Sequence, residues 1–173
     1  KLKGARIKVI DTIAEQTATE SAGQRFILME PALNDGTPRK RMWGIRVKKF
    51  GGWIGIGVSL VNLMKTANYH FQYTTIGHGS YLISSNGYSW SHSVKEFNSA
   101  YKSFTFAVND IVYIEYDPMA NKLRFRKNES KDTKDRFELD IIPAPAGDNY
   151  HPSANLCNAS DSVEIVLPGK PIS

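Results

Sequence analysis

Short segments in which every second residue is hydrophobic recur along most of this chain. Ile45 and Val47, for example, alternate with Arg46 and Lys48. Because successive side chains on a β-strand point to opposite faces, this period predicts strands that are buried on one face. Segments with this period or a strand-like composition lie at residues 43–48, 53–58, 81–83, 104–108, 111–116, 122–126, 137–141 and 163–167. Many short strands of this kind predict an all-β fold, an antiparallel sandwich or barrel.

The connections between these segments carry turn signals. Residues 116–122 predict a hairpin turn, Asn86-Gly87 predicts a tight turn, and the proline-rich residues 143–148 predict a loop. We expect short helices only, at residues 12–22 and near residues 59–67. The chain is therefore predicted to be nearly all-β.

The length of 173 residues fits one domain, with 41% hydrophobic and 23% charged residues. We expect an N-terminal extension or linker over residues 1–25 and a sandwich domain over residues 26–173. No apolar run approaches the roughly 20 residues that span a bilayer, so no membrane partner is expected. The single Cys157 cannot form an internal disulfide, which favours an intracellular, cytoplasmic location. The start at Lys1 suggests a piece of a longer polypeptide.

The net charge of +5 raises the question of nucleic-acid binding. The excess lies in residues 1–60, which hold 11 basic and 5 acidic residues. The only run of three basic residues is Arg39-Lys40-Arg41. A nucleic-acid binder clusters its positive charge on one face, so we interpret this run as a solvated loop and expect no nucleic-acid partner.

The residues that carry metal and catalytic chemistry are sparse. The four histidines, His70, His78, His92 and His151, show no zinc-ligand spacing with the single cysteine. No G-x-S-x-G elbow is present, and Gly55 and Gly57 fall inside a strand pattern, where they leave room for a close neighbour. We therefore expect no enzyme activity and no cofactor or metal.

Residues 61–100 combine many aromatic residues with only three charged ones, Lys65, Lys95 and Glu96. Aromatics mixed with Ser, Asn, Gly and Thr are typical of recognition loops, in which rigid rings supply contact area and small polar residues supply hydrogen bonds. Some of these rings belong to the core: we expect Phe71 and one of Tyr73 or Tyr81 to be buried. This stretch is the best candidate for a recognition surface.

The order of several motifs resembles the SPRY (B30.2-like) family. The segments that carry the resemblance are Trp43-Gly44-Ile45-Arg46-Val47, Gly52-Trp53-Ile54-Gly55-Ile56-Gly57-Val58, Gly79-Ser80-Tyr81-Leu82-Ile83 with Asn86-Gly87-Tyr88-Ser89-Trp90, Asn109-Asp110-Ile111-Val112-Tyr113-Ile114-Glu115-Tyr116-Asp117, Lys122-Leu123-Arg124-Phe125-Arg126-Lys127-Asn128, Tyr150-His151-Pro152-Ser153-Ala154-Asn155-Leu156 and Val163-Glu164-Ile165. They cover residues 43–166. Asn109 stands where the family usually has Gly, and His151 intrudes before Pro152.

The resemblance implies two packed antiparallel sheets, jelly-roll-like, that recognise a peptide segment or protein surface through loops at one end. It also implies a role in substrate recognition for a ubiquitin ligase. We expect the partner site on loops of residues 61–95, together with the 117–121 turn or the 143–151 loop. The expected contacts are Tyr69, His70, Tyr88 and Trp90, accompanied by Asn62 and His92.

Two other functions remain open at this point. The domain could be a structural scaffold inside a large assembly, or a lectin-like sandwich that binds carbohydrate through loop aromatics. The absence of an internal disulfide argues against the secreted lectin.

Overall fold

The computed structural model describes residues 2–17 and 24–166, which form two antiparallel sheets packed face to face. The strands are β1 (Ile7–Ile10), β2 (Ile13–Gln16), β3 (Arg25–Leu28), β4 (Arg41–Lys49), β5 (Ile54–Leu60), β6 (Ser80–Ser84), β7 (Asn86–Trp90), β8 (Ala100–Thr105), β9 (Ile111–Asp117), β10 (Lys122–Lys127), β11 (Arg136–Asp140), β12 (Tyr150–Leu156) and β13 (Ser162–Val166). One α-helix, α1 (Val61–Thr66), and short 3₁₀ turns at Lys95–Phe97 and Thr133–Asp135 complete the described part.

The seven-stranded sheet has the order β1-β2-β13-β4-β9-β10-β11, and the six-stranded sheet has the order β3-β12-β5-β6-β7-β8. The pairings within both sheets are antiparallel, such as Arg41 with Tyr116 and Gly57 with Ser153. These findings confirm the predicted all-β sandwich. Within the described residues, no helix is long and apolar enough to cross a membrane.

The main hydrophobic core fills the space between the sheets. Ile45 and Val47 of the seven-stranded sheet, and Ile56 and Val58 of the six-stranded sheet, are fully buried there. Gly57 alternates with these residues, and a Cβ at this position would lie 2.0 Å from the carbonyl oxygen of Tyr81. The predicted close approach at the strand glycines is therefore confirmed.

Five loops gather at one end of the sandwich and contact one another. They follow β3, β5, β7, β9 and β11 and cover residues 29–40, 61–79, 91–99, 118–121 and 141–149. The Asn62 side chain donates to the carbonyl of Gly147 at 2.8 Å, and the backbone N–H of Ile142 donates to the Tyr81 hydroxyl at 3.2 Å. These contacts join the loops at this end of the sandwich, and their role in binding a partner stays a prediction.

The helix expected at residues 12–22 is wrong over the part that the structure describes. Ile13–Gln16 is strand β2, which pairs with β1 on one side and β13 on the other. Ala14 and Gln16 are buried while Glu15 is exposed, which is strand alternation hidden in a polar sequence. Residues 18–22 lie outside the described residues. The helix expected near residues 59–67 is confirmed as α1.

The segment expected to be an N-terminal extension or linker adds a hairpin to the seven-stranded sheet. Before that hairpin, the N–H of Gly4 donates to the carbonyl of Phe26 and the carbonyl of Leu2 accepts from the N–H of Leu28, which covers the free edge of β3. The boundary between an extension and a domain at residue 25 stays a prediction.

Candidate functional site

A second hydrophobic cluster lies on the face of the six-stranded sheet that points away from the core. Phe26, Leu28, Leu82 and Trp90 belong to it, whereas their neighbour Tyr81 belongs to the core between the sheets. The strand period explains this separation, because alternate residues face opposite sides. Helix α1 covers part of this outer face through its buried residues Val61 and Met64.

Five aromatic residues form a continuous row on this outer face. We call this set the aromatic row: Trp53, Tyr73, Tyr88, Trp90 and Tyr101. Trp90 is its centre, with ring centroids 6.1 Å from Trp53, 5.4 Å from Tyr73 and 6.1 Å from Tyr88. Tyr88 continues the row to Tyr101 at 5.4 Å. Most of these pairs meet edge to face, the arrangement that the ring quadrupole favours.

The members of the aromatic row differ in their access to solvent. Tyr101 is 68% exposed and Tyr73 is 41% exposed, whereas Trp53 and Tyr88 are half-buried. Trp90 is only 8% exposed, and its Nε1–H finds no hydrogen-bond partner among the described residues. Trp90 therefore supports the row from below, and the tyrosines present contact area to a partner.

Gly55 leaves space on the sheet for one end of the aromatic row. A Cβ on Gly55 would lie 2.7 Å from the ring of Trp53, so the ring rests on strand β5 where a side chain is missing. Phe71 fills the space behind it, 6.0 Å from Trp53 and 5.3 Å from Trp90. The strand glycines thus allow two close contacts. The backbone of Tyr81 approaches Gly57, and the ring of Trp53 lies against Gly55.

The structure brings three of the six predicted contact residues to the aromatic cluster. Tyr88 and Trp90 lie in strand β7, on the face of the sheet and not in a loop, and Tyr69 packs against the same cluster just after α1. Phe71 is 7% exposed and Tyr81 is fully buried, which confirms the expected burial of both, Tyr81 between the sheets and Phe71 in the outer-face cluster.

The other three predicted residues lie at different places. Asn62 binds the 141–149 loop, because its backbone N–H also donates to Asp148 Oδ1 at 3.0 Å. His70 lies at the edge of β3, where its Nδ1 is 2.7 Å from Arg25 Nη1. Burial and the nearby Arg25 guanidinium lower the pKa of His70, so the neutral ring accepts this hydrogen bond. The partner-contact role of all six residues stays a prediction.

His92 belongs to a third group, with His78 and Asn98, between the 61–79 and 91–99 loops. The N–H of Gly79 donates to His92 Nδ1 at 2.8 Å, and His78 Nε2 lies 2.8 Å from Asn98 Oδ1. Asn98 in turn donates through Nδ2 to the carbonyl of Tyr73 at 3.0 Å. This group therefore holds the loop segment that carries one exposed member of the aromatic row.

Buried carboxylates lie on the other outer face, that of the seven-stranded sheet, and are ion-paired. Glu115 and Asp117 are 2% and 5% exposed, and Arg124 Nη1 lies 2.9 Å and 3.1 Å from them. Burial alone would lower the pKa of Arg124, but its hydrogen bonds to these carboxylates and to Glu138 raise it. Within the described residues, no group of three or more His, Cys, Asp or Glu side chains is arranged to hold a metal ion.

The basic run of residues 39–41 is charge-compensated. Arg39 and Arg41 both pair with Asp35, and Lys40 Nζ lies 3.5 Å from Glu115 and 3.3 Å from Asp117. A cleft of about 420 Å³ lies elsewhere, between the β1–β2 hairpin and β3, and none of the six predicted residues lines it. Neither feature displaces the aromatic row as the candidate site.

Sequence reasoning missed Trp53 and Tyr101 as parts of the surface. Trp53 precedes a strand, and its sequence context indicates only a strand motif, although the glycine two residues later leaves space for its ring. Tyr101 lies on the edge strand β8, whose sequence has weaker alternation than its neighbours. The pair Tyr101 and Ser103, both on the outer face beside Tyr88, was the signal available for it.

No family model and no curated protein matches this chain in sequence. Among solved structures, 107 chains match the fold. The SPRY domain of human HERC1 superposes with a TM-score of 0.69 at 16% identity, over 95% of this chain and 94% of that chain. Stonustoxin superposes with a TM-score of 0.57 at 12% identity, over 94% of this chain and 25% of that chain. The sandwich of seven and six antiparallel strands is therefore a SPRY-type fold.

Proposed function

We propose that this chain is a non-catalytic protein-interaction module that binds a peptide segment or protein surface through the aromatic row and the adjoining loop end. The observation that carries the proposal is a row of solvent-accessible tyrosines, Tyr73, Tyr88 and Tyr101, seated on the buried Trp90. Partly exposed aromatics around a desolvated tryptophan are typical of interface hot spots. The SPRY-type fold supports an interaction role by analogy.

The chemistry of the surface indicates the kind of segment that would bind. The aromatic row itself contains no charged residue, and its tyrosine hydroxyls can donate and accept hydrogen bonds with a peptide backbone. Rigid rings lose little conformational freedom on binding and present mainly apolar area. They therefore favour contact with an apolar or uncharged stretch. We therefore propose a partner segment with few charges at its centre.

We also propose two finer roles, the substrate-recognition part of a ubiquitin ligase or a scaffold in a large assembly, and the sequence of any neighbouring domain would distinguish them. An intracellular, cytoplasmic location is favoured by the single cysteine, Cys157. Burial and the charge of Asp161 raise the pKa of the Cys157 thiol, which keeps it in the less reactive protonated form.

The test is a selection of binding peptides from a random displayed library, with the purified chain as bait. Tyr73→Ala and Tyr101→Ala should each weaken the selected peptides by roughly thirtyfold, which is about 2 kcal/mol, without changing the melting temperature. Lys48→Ala, on the outer face of the other sheet, is the control and should leave affinity unchanged. Peptides that bind the tyrosine variants and wild type equally would contradict the site, and Arg39–Arg41 would be substituted next.

A carbohydrate ligand is separated from a peptide by a glycan array run in parallel. Exposed tyrosine rings also stack on sugar rings, so the lectin-like alternative predicts a saccharide that binds wild type and not Tyr101→Ala. The protein-interaction proposal predicts peptide binding and no such saccharide. Saccharide binding without any selected peptide would replace the proposal.

A further inference from the structure

The loop segment of residues 72–79 is attached to the rest of the molecule mainly through the facing residues 91–98. The N–H of Gly77 donates to the carbonyl of His92 at 2.7 Å, and the N–H of Gly79 donates to His92 Nδ1 at 2.8 Å. Asn98 binds the carbonyl of Tyr73. Residues 72–77 are exposed, so the closed position of this segment depends on these polar contacts, on the N–H of Leu60 that donates to the carbonyl of Gly79, and on the ring of Tyr73.

The hydrogen bonds define the protonation state of both histidines. His92 Nδ1 accepts from the N–H of Gly79, and His78 Nδ1 accepts from the N–H of Ser80 at 3.2 Å. A ring nitrogen that accepts cannot carry a proton, so the remaining proton of each neutral ring lies on Nε2. His78 Nε2–H then donates to Asn98 Oδ1. Protonation of either Nδ1 would place two donors against each other and break the contact.

The described groups packed against the two rings are mainly aromatic and carry little charge that would compensate for an added proton. His78 packs edge-on against Phe71 and lies 6.3 Å from His92, whose other ring neighbour is Tyr81. The charged residues of the adjoining 3₁₀ turn are Lys95 and Glu96, both exposed. Among the described residues, no carboxylate forms an ion pair with either ring.

Burial lowers the pKa of both histidines. For His78, the hydrogen bonds to Asn98 and to the backbone of Ser91 offset part of that effect, and the charge of His92 adds to it. For His92, burial is the sole cause. Each ring is therefore neutral near pH 7 when the segment is closed, and binds a proton more readily when the segment opens and water reaches it.

The contacts lead from the histidines to the aromatic row through Asn98. Asn98 accepts from His78 with its oxygen and donates to Tyr73 with its nitrogen, so one amide joins the two. The Tyr73 ring lies 5.4 Å from Trp90 and 5.7 Å from Phe71. Loss of the contacts from Gly79 and Ser80 would therefore detach the C-terminal end of the segment and leave Tyr73 held by Asn98 and by its ring contacts.

We propose that His78, His92 and Asn98 form a proton-sensitive latch, which holds residues 72–79 closed in neutral solution and releases Tyr73 from the aromatic row on acidification. The inference concerns the regulation of the binding surface proposed above and rests on that function for its biological meaning. Because the closed state binds fewer protons than the open state, closure is fully favoured above the ordinary histidine pKa of about 6.5 and is lost as pH falls below it.

Amide hydrogen exchange followed by NMR tests the latch without a partner. Protection of the Gly79 and Ser80 amides, corrected for the intrinsic exchange rate, should fall by about tenfold or more between about pH 7.5 and about pH 5. In His92→Asn, the side-chain oxygen can still accept from Gly79 but does not titrate. Protection of Gly79 should then become independent of pH, while Ser80 keeps its response through His78.

His70→Asn is the matched control, because His70 also has a lowered pKa but contacts Arg25 at the edge of β3. This variant should keep the wild-type pH response at Gly79 and Ser80. Wild-type protection that is constant with pH, or an identical fall in His92→Asn, would overturn the latch. If His92→Asn does not fold, imidazole ¹⁵N shifts of the wild type decide: the proposal requires both rings as neutral Nε2–H tautomers at neutral pH.

A binding measurement separates failure of the latch from failure of the proposed function. A peptide selected on the wild type should bind less tightly at about pH 5.5 than at about pH 7.5, and Tyr73→Ala should remove this difference. If amide hydrogen exchange responds to pH but no binding peptide can be selected, the proposed function is rejected and the latch is kept. Peptide binding that persists unchanged at low pH would keep the function and reject the latch as its regulator.

Discussion

The two outer faces of this sandwich are built from opposite chemistry. On the seven-stranded sheet, charged residues of neighbouring strands form ion pairs: Lys122 with Glu138, Arg124 with Glu115 and Asp117, and Arg46 with Glu164. Arg124 lies directly opposite Glu115, and Arg46 directly opposite Glu164, and such opposed pairs stabilise a sheet. Many charges on this face therefore already have a partner within the same molecule.

The outer face of the six-stranded sheet carries rings and hydroxyls instead. Ser59 Oγ lies 2.8 Å from Ser80 Oγ and 2.9 Å from Ser153 Oγ, in a chain of hydroxyls, and the aromatic row lies beyond it. Aromatic side chains that contact one another can still contact a partner, because their ring edges and hydroxyls remain accessible. The comparison indicates that the ion-paired face has few groups left to contact a partner, whereas the aromatic face can still bind one.

Trp90→Ala gives the largest expected effect and tests whether the aromatic face is also structural. Removing this nearly buried ring leaves a cavity among Trp53, Phe71 and Tyr88, which we expect to destabilise the fold by about 3–5 kcal/mol. Thermal melting should show a fall of roughly 10 °C. Trp90→Phe is the control and should lose much less. An unchanged melting temperature for Trp90→Ala would show that Trp90 is a contact residue and not a support.

Arg124→Ala probes the ion-paired face at its most buried point. The change leaves the carboxylates of Glu115 and Asp117 with Lys40 as their remaining cation, and we expect a loss of about 2 kcal/mol because Arg124 itself is partly exposed. Burial alone would raise the pKa of Asp117, but hydrogen bonds from Ala120, Arg124 and Lys40 lower it.

The stability that Asp117 contributes is therefore present above its ordinary carboxyl pKa and lost as pH falls below it. Urea unfolding of Arg124→Ala and wild type at neutral pH and at about pH 3 should show a smaller difference at the acidic value. An equal difference at both pH values would mean that packing of the Arg124 stem, and not its charge, supports this face.

A double-mutant cycle on Arg46 and Glu164 should give a smaller effect. Arg46 Nη1 lies 3.0 Å from Glu164 Oε2, but both side chains are accessible to water, so we expect a coupling of about 0.5 kcal/mol. The coupling should fall further in about 1 M salt, where the Debye length is near 3 Å. A coupling above about 1.5 kcal/mol would show that this pair behaves as a buried one.

The smallest stability effect is expected for Tyr101→Ala, at the far end of the aromatic row. Its side chain is mostly in solvent, so the melting temperature should stay at the wild-type value while peptide binding falls. Tyr113→Ala is the comparison on the opposite face, where the buried ring lies under Arg126. That variant should lose stability instead. An equal change in melting temperature for both variants would contradict the proposed difference between the two faces.

The strands of the core could be predicted because one face of each is buried and the other is solvated. Residues 43–48 and 122–126 show this clearly, and both became strands of the seven-stranded sheet. Strand β2 could not, because its sequence, Ile-Ala-Glu-Gln, is short and its buried positions are Ala14 and Gln16. Tertiary pairing with β13, and not local sequence preference, makes it a strand.

The site was predictable in composition but not in geometry. The charge-poor aromatic stretch pointed to Tyr88 and Trp90, which do meet on the outer face. The sequence does not specify the arrangement of the loops, so it could not show that Asn62 and His92, two of the expected contacts, also hold loops in place. Small polar residues satisfy backbone groups in loops as readily as they contact ligands, and their type does not distinguish the two roles.

The backbone pairing of residues 2–16 has a consequence for how the protein is handled in the laboratory. Leu2 and Gly4 occupy the free edge of β3, and β2 occupies the edge of β13. A fragment cut at residue 25 would open an edge strand on both sheets at the same side of the sandwich. Another chain can add a strand to unpaired edges of this kind, so we expect such a fragment to self-associate more than the full chain does.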